Sequence, residues 1–138
     1  MEARAGDLQA LERVAFAGVE SQRHDQRGRG ERLDAGEGAG FNLNLPQPLG
    51  SGDGPWLAAG DIALARIREF APTALVVALG LDASESDPLQ GLKVTGAGFH
   101  AMAAKIGALG LPTVLVQEGG YLSEDLGRNL VQFLSGFA

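Results

Sequence analysis

An unbroken apolar run, ALVVAL at Ala74–Leu79, leads straight into Gly80-Leu81-Asp82 and a short polar loop closed by Asp87-Pro88. A run of this length, bounded by turn residues, suits a strand buried on both faces, as in a parallel sheet. Its flanks read as helices. Between Asp53 and Phe70, the residues Trp56, Gly60, Ala63, Ile67 and Phe70 share one face at helical period. Asp53 is placed to N-cap that helix, Pro55 is tolerated in its first turn, and Ala71-Pro72 stops it. Thr95 opens a second helix with Phe99, Met102, Ile106 and Leu109 inward, ended by Gly110 and Pro112. Thr113–Val116 (TVLV) then repeats the strand grammar and runs through Gln117-Glu118 into Gly119-Gly120. Ser123 suits the N-cap of a last helix, Glu124 and Asp125 suit its positive end, and Leu126, Leu130, Phe133, Leu134 and Phe137 form its inward face.

Upstream, FNLNLP alternates Phe41, Leu43 and Leu45 with Asn42 and Asn44, which predicts a short strand ended by Pro46. From Phe41 onward the order is β-α-β-α-β-α, an α/β arrangement on a parallel sheet with right-handed crossovers. Residues 1–40 differ in character and form a separate N-terminal segment, with the α/β domain at 41–138. Asp7–Glu20 carries Leu8, Leu11, Ala15 and Val19 at helical spacing, which predicts a helix. Ser21–Gly40 has a single large apolar side chain, Leu33, and cannot bury enough surface to offset its ordering entropy. It reads as a loop.

The arginines of that loop, Arg23, Arg27, Arg29 and Arg32, are interleaved with acidic residues and lack aromatic neighbours, so they read as solvated charge. A net charge of −6 over 138 residues argues against general binding to nucleic acid or an anionic membrane. Without cysteine, disulfides and thiolate metal sites are excluded. No apolar stretch is long enough to cross a bilayer and the first residues lack a signal peptide's apolar core, so the expected location is cytoplasmic.

Both predicted strands end at the same edge of the sheet, one delivering Asp82 and the other Glu118, Gly119, Gly120 and Tyr121. There a carboxylate could hold a metal or act as a base, and a phenol could donate to an oxyanion. The same residues also read as a turn aspartate and an aromatic packed at a helix start, and spacing does not choose between the two. Neither glycine turn fits the dinucleotide fingerprint, and no GxxxxGK[ST] occurs.

Five phrases in register add a family resemblance: GEGAGFNLNLP at Gly36–Pro46, GSGD at Gly50–Asp53, VVALGLDASESDPLQGLKVT at Val76–Thr95, LGLPTVLVQEGGY at Leu109–Tyr121 and LGRNLVQFLSGF at Leu126–Phe137. From about Gly36 the chain resembles the C-terminal part of the zinc-dependent histone deacetylase and acetylpolyamine amidohydrolase superfamily, in its bacterial, acetylpolyamine-like branch. Residues before Gly36 lack such phrases. The resemblance implies part of a three-layer, arginase/deacetylase-like α/β fold and hydrolysis of acetylated amines, either acetylpolyamine or acetyl-lysine. It implies that Asp82 is one of three protein ligands of a catalytic zinc and that Tyr121 donates to the oxyanion. Leu89 would line the tunnel for the acetylated chain, with Gly119 and Gly120 on the substrate side.

The family's other two ligands come from an upstream Asp-x-His element, and its acid/base groups from an upstream pair of adjacent histidines. This chain has only His24, in the polar QRHDQ loop, and His100, beside the inward Phe99 and expected on an exposed face. Neither stands in either context. One carboxylate does not retain zinc in water. The expectation is a truncated or degenerate family member that holds no zinc and is inactive alone. Two other readings stand: half of an enzyme completed in trans by another chain, and a non-catalytic interaction module. Strands separated from their usual neighbours expose apolar edges, so self-association is also expected.

Overall fold

A computed structural model of the chain describes residues 14–18, 43–89 and 91–137. Among them, three parallel strands form one sheet in the order β1-β2-β3: β1 is Val14–Gly18, β2 is Ala74–Gly80 and β3 is Thr113–Gly119. Helix α1 (Asp53–Phe70) lies between β1 and β2, α2 (Gly96–Gly107) between β2 and β3, and α3 (Leu126–Phe137) follows β3. The β-α-β-α-β-α order is therefore present, on a parallel α/β sheet.

Its first strand is not the expected one. Helical spacing over 7–20 predicts a helix through Val14–Gly18, but these residues are a strand in register with β2, from Val14 opposite Ala74 to Gly18 opposite Ala78. Val14 and Phe16 favour a pleated strand, and a ready parallel partner outweighs a loose helical spacing. The strand expected at Phe41–Leu45 is not formed by the described part of that phrase: 43–48 is irregular, and Leu43 is exposed. Pro46 and Pro48 lack the N–H a ladder needs. The chain just after them docks elsewhere, with Gly50 N–H donating to Gly91 O at 2.9 Å and Lys93 N–H to Ser51 O at 2.8 Å. The rest of the expected helix, the loop Ser21–Gly40 with His24, and Phe41-Asn42 lie outside the described residues.

The core gathers on one face of the sheet. Leu75, Val77 and Leu79 of β2 meet Trp56, Leu64 and Ile67 of α1, Phe99, Met102, Ala103 and Ile106 of α2, and Phe133 of α3. Trp56 and Phe99 make an edge-to-face contact with centroids 5.5 Å apart. Asp53, expected as a cap for its own helix, reaches across instead. Its Oδ1 accepts from Thr95 N–H at 2.8 Å and its Oδ2 from Thr95 Oγ1 at 2.7 Å. Thr95 Oγ1 in turn caps α2 by accepting from Gly98 N–H at 3.2 Å. One carboxylate thus joins the starts of two helices. On α3 the inward stripe is narrower than expected: Leu126, Leu130 and Phe137 pack against the core, Asn129 and Phe133 are buried, and Leu134 is exposed.

β2 was expected to be buried on both faces. It alternates instead, with Leu75, Val77 and Leu79 buried and Val76 and Ala78 only partly so. On β3 the register partners of those last two, Val114 and Val116, are 59% and 41% exposed. The strand order explains this. An order that never reverses sends successive right-handed crossovers over the same face, so α1 and α2 cover one side only. No helix among the described residues is long and apolar enough to cross a membrane.

Candidate active site

Because β2 and β3 are parallel neighbours, their carboxyl ends lie side by side. The register runs from Leu75 opposite Thr113 to Leu79 opposite Gln117, and then Gly80 pairs with Gly119. Glu118 is the extra residue of this bulge and is exposed. Bulges bend a strand and re-aim the residues beyond them. Here the bulge brings the Gly119-Gly120 turn against the 3-10 turn Leu81–Ala83, which carries Asp82.

Two glycines in that turn are required by contact. A Cβ at Gly119 would collide with the Asp82 carboxylate, with its carbon only 2.8 Å away. Gly120 has φ of +112°, which an L side chain rarely adopts, and a Cβ there would sit 2.8 Å from both Leu81 Cβ and Leu126 Cδ1. Leu89 and Tyr121, each 53% exposed, share a single anchor. Asp87 Oδ1 accepts from Leu89 N–H at 2.9 Å, and its Oδ2 accepts from Tyr121 N–H at 3.3 Å. The structure therefore brings Asp82, Leu89, Gly119, Gly120 and Tyr121 to one end of the β2–β3 pair.

The loop beneath them is held by buried polar groups. Ser84, Asp87 and Asn129 are buried. Asn129 Nδ2 of α3 donates to Ser84 Oγ at 2.9 Å, and Asp87 N–H donates to Ser84 O at 3.1 Å. Glu85 N–H donates to Val94 O at 3.0 Å, and Val94 N–H to Ala83 O at 3.0 Å. The Asp87-Pro88 turn signal was legible, since an aspartate ahead of a turn commonly accepts from the backbone two residues on. Its second bond, to Tyr121 just past β3, spans 34 positions and has no local signature.

The described donors do not fit a zinc ion. The Asp82 carboxylate lies against Gly119, and no group of three or more His, Cys, Asp or Glu is placed to hold a metal among the described residues. His100 is exposed as expected. Its Nδ1 faces Gln132 O at 3.3 Å and Ser135 Oγ at 3.4 Å, on the α2–α3 surface.

Comparison with known proteins gives a consistent result. The sequence model of the histone deacetylase domain matches residues 18–137, reaching upstream of Gly36. The chain is 48% identical over 113 residues to the acetylpolyamine amidohydrolase of Burkholderia pseudomallei, covering 82% of this chain and 31% of that protein. It is 42% identical over 113 residues to acetylpolyamine amidohydrolase 1 of Pseudomonas aeruginosa, again covering 82% of this chain and 31% of the relative. The crystal structure of acetylpolyamine aminohydrolase from Burkholderia pseudomallei is similar with a TM-score of 0.75 at 43% identity, covering 90% of this chain and 36% of that one. The chain thus spans about a third of the length of the relatives it matches.

Proposed function

Since the chain belongs to the histone deacetylase domain family, we propose that the carboxyl end of its β2–β3 pair is one wall of a deacetylase active site. In a completed site Asp82 would be that wall's metal ligand, and the Tyr121 hydroxyl would donate to negative charge developing on the acetamide oxygen. Leu89 lines the approach of the acetylated chain, and Gly119 and Gly120 leave the backbone close to the substrate. The substrate class is an acetylated amine, a reading supported by the names of the bacterial relatives.

By themselves these 138 residues do not carry out the hydrolysis. The observation behind this reading is that no group of three or more His, Cys, Asp or Glu is placed to hold a metal among the described residues. A zinc site that survives in water uses three protein ligands and keeps a position for water, and one carboxylate falls well short of that. Purified chain is expected to hold far less than one zinc per molecule and to leave acetyl-lysine and acetylpolyamine surrogates uncleaved. Stoichiometric zinc together with turnover overturns the proposal.

A second reading, completion in trans, is favoured by the sheet face on which Val114 and Val116 stand exposed. A parallel sheet ordinarily has both faces covered. Activity that appears only on adding the upstream half of an acetylpolyamine amidohydrolase would establish it. Without such a partner the same face drives self-association. The chain is expected to sediment as concentration-dependent oligomers, and Val114→Lys with Val116→Lys is expected to shift it to monomer. Both positions are already exposed, so lysine there changes stability by only about 0.5 kcal/mol. A wild-type chain that stays monomeric at all concentrations removes this expectation.

A further inference from the structure

The backbone pairing of β2 with β3 ends at Gly80 opposite Gly119. Beyond that point the two turns meet a single side chain that binds both. We propose that Asp87 is a positioning residue, clamping the Leu89 loop to the Tyr121 turn and thereby setting where both stand relative to Asp82. This rests on the reading of Leu89 and Tyr121 as active-site residues.

The chemistry of the clamp calls for a carboxylate. Two N–H donors approach from different segments, Leu89 at 2.9 Å on Oδ1 and Tyr121 at 3.3 Å on Oδ2. A carboxylate accepts on both oxygens, whereas an asparagine offers one oxygen and turns an NH2 toward the other donor. Asp87 is 3% exposed, so water does not readily replace either bond, and a buried N–H left unpaired is costly. The clamp is itself anchored. Asp87 N–H donates to Ser84 O, and Ser84 Oγ is held by Asn129 of α3. With the Tyr121 side chain half exposed and Leu122 almost fully so, the backbone bond to Asp87 carries much of the constraint on this turn.

Residue-by-residue amide exchange on the intact chain tests this. In the wild type, the Leu89 and Tyr121 amides are expected to exchange about tenfold more slowly than that of Leu122, as befits bonds to a carboxylate. In Asp87→Asn the short local bond to Leu89 survives on the remaining oxygen, and Tyr121 alone loses its protection. In Asp87→Ala both lose it. The amides of Val77 and Leu79 in β2 serve as the internal check that the fold persists. The ring signals of Tyr121, the one tyrosine in the chain, are expected to shift in both variants, as a positioning role requires. Unchanged exchange at Tyr121 in Asp87→Asn, or an unchanged ring environment in both variants, overturns the proposal. Should the variants fail to fold, equal exchange of Tyr121 and Leu122 in the wild type overturns it as well. Lost protection and a shifted ring in a chain that no complementing half activates would support the clamp and count only against the active-site reading.

Discussion

Replacing Phe99 with alanine is expected to abolish cooperative folding of the chain. Phe99 is fully buried on α2 and meets Trp56 of α1 edge-on, at 5.5 Å between centroids and 73° between planes. It sits in the cluster that joins three helices to the buried face of β2. Truncating a phenylalanine in such a place costs about 3–5 kcal/mol, the transfer of the ring plus the cavity it leaves. Whole domains are held by only about 5–15 kcal/mol. This chain is expected to start toward the lower end of that range, because Val114 and Val116 on one face of its sheet stand exposed. Urea unfolding followed by far-UV circular dichroism is expected to show a broad, non-cooperative transition for Phe99→Ala. Phe99→Leu, which keeps an apolar side chain, is expected to retain a transition at lower urea. Trp56 is the chain's one tryptophan, so its emission reports the same contact directly. A wild-type midpoint in Phe99→Ala would show that the core is not centred there.

Those core residues were legible where helical spacing agrees with the contacts the chain makes, which it does less well at Leu134, exposed, and on α1, where Leu64 is buried and Ala63 and Phe70 only partly so. Trp56, Ile67, Phe99, Met102, Ile106 and Phe133 all fall where spacing put them. That Asp82, Gly119, Gly120 and Tyr121 share one edge was legible for a different reason. They come after strands whose direction is set by the helices between them, so the edge they share is a matter of topology. What local patterns could not supply was partner choice. Val14–Gly18 is a strand because β2 offers it a ladder, and nothing within the five residues of VAFAG announces that. The one-sided burial of β2 comes from the strand order, which pairs distant segments. Asp53 illustrates the same limit within one residue. Its position as a helix-start carboxylate was legible, yet its bonds go to Thr95, forty-two positions away.

Tyr121→Phe is expected to separate chemistry from folding. In the isolated chain the side chain is 53% exposed, and the substitution removes only the hydroxyl. Stability is therefore expected to change by no more than about 0.5 kcal/mol, read from the urea midpoint. In an assembly that has gained turnover from a complementing upstream half, the same substitution is expected to lower kcat by about 10²–10³, the usual consequence of losing one donor to a developing oxyanion. KM should move little, because a donor that acts on charge formed in the transition state contributes less to ground-state binding. The two arms constrain each other. A large loss of kcat with an unchanged urea midpoint assigns the hydroxyl to the reaction. A matching loss of stability would instead make Tyr121 a packing residue at the start of α3, which is the plainer reading that spacing left open. Full activity in the completed assembly would remove Tyr121 from the site altogether, leaving Asp82 as the one residue of this wall with a chemical role.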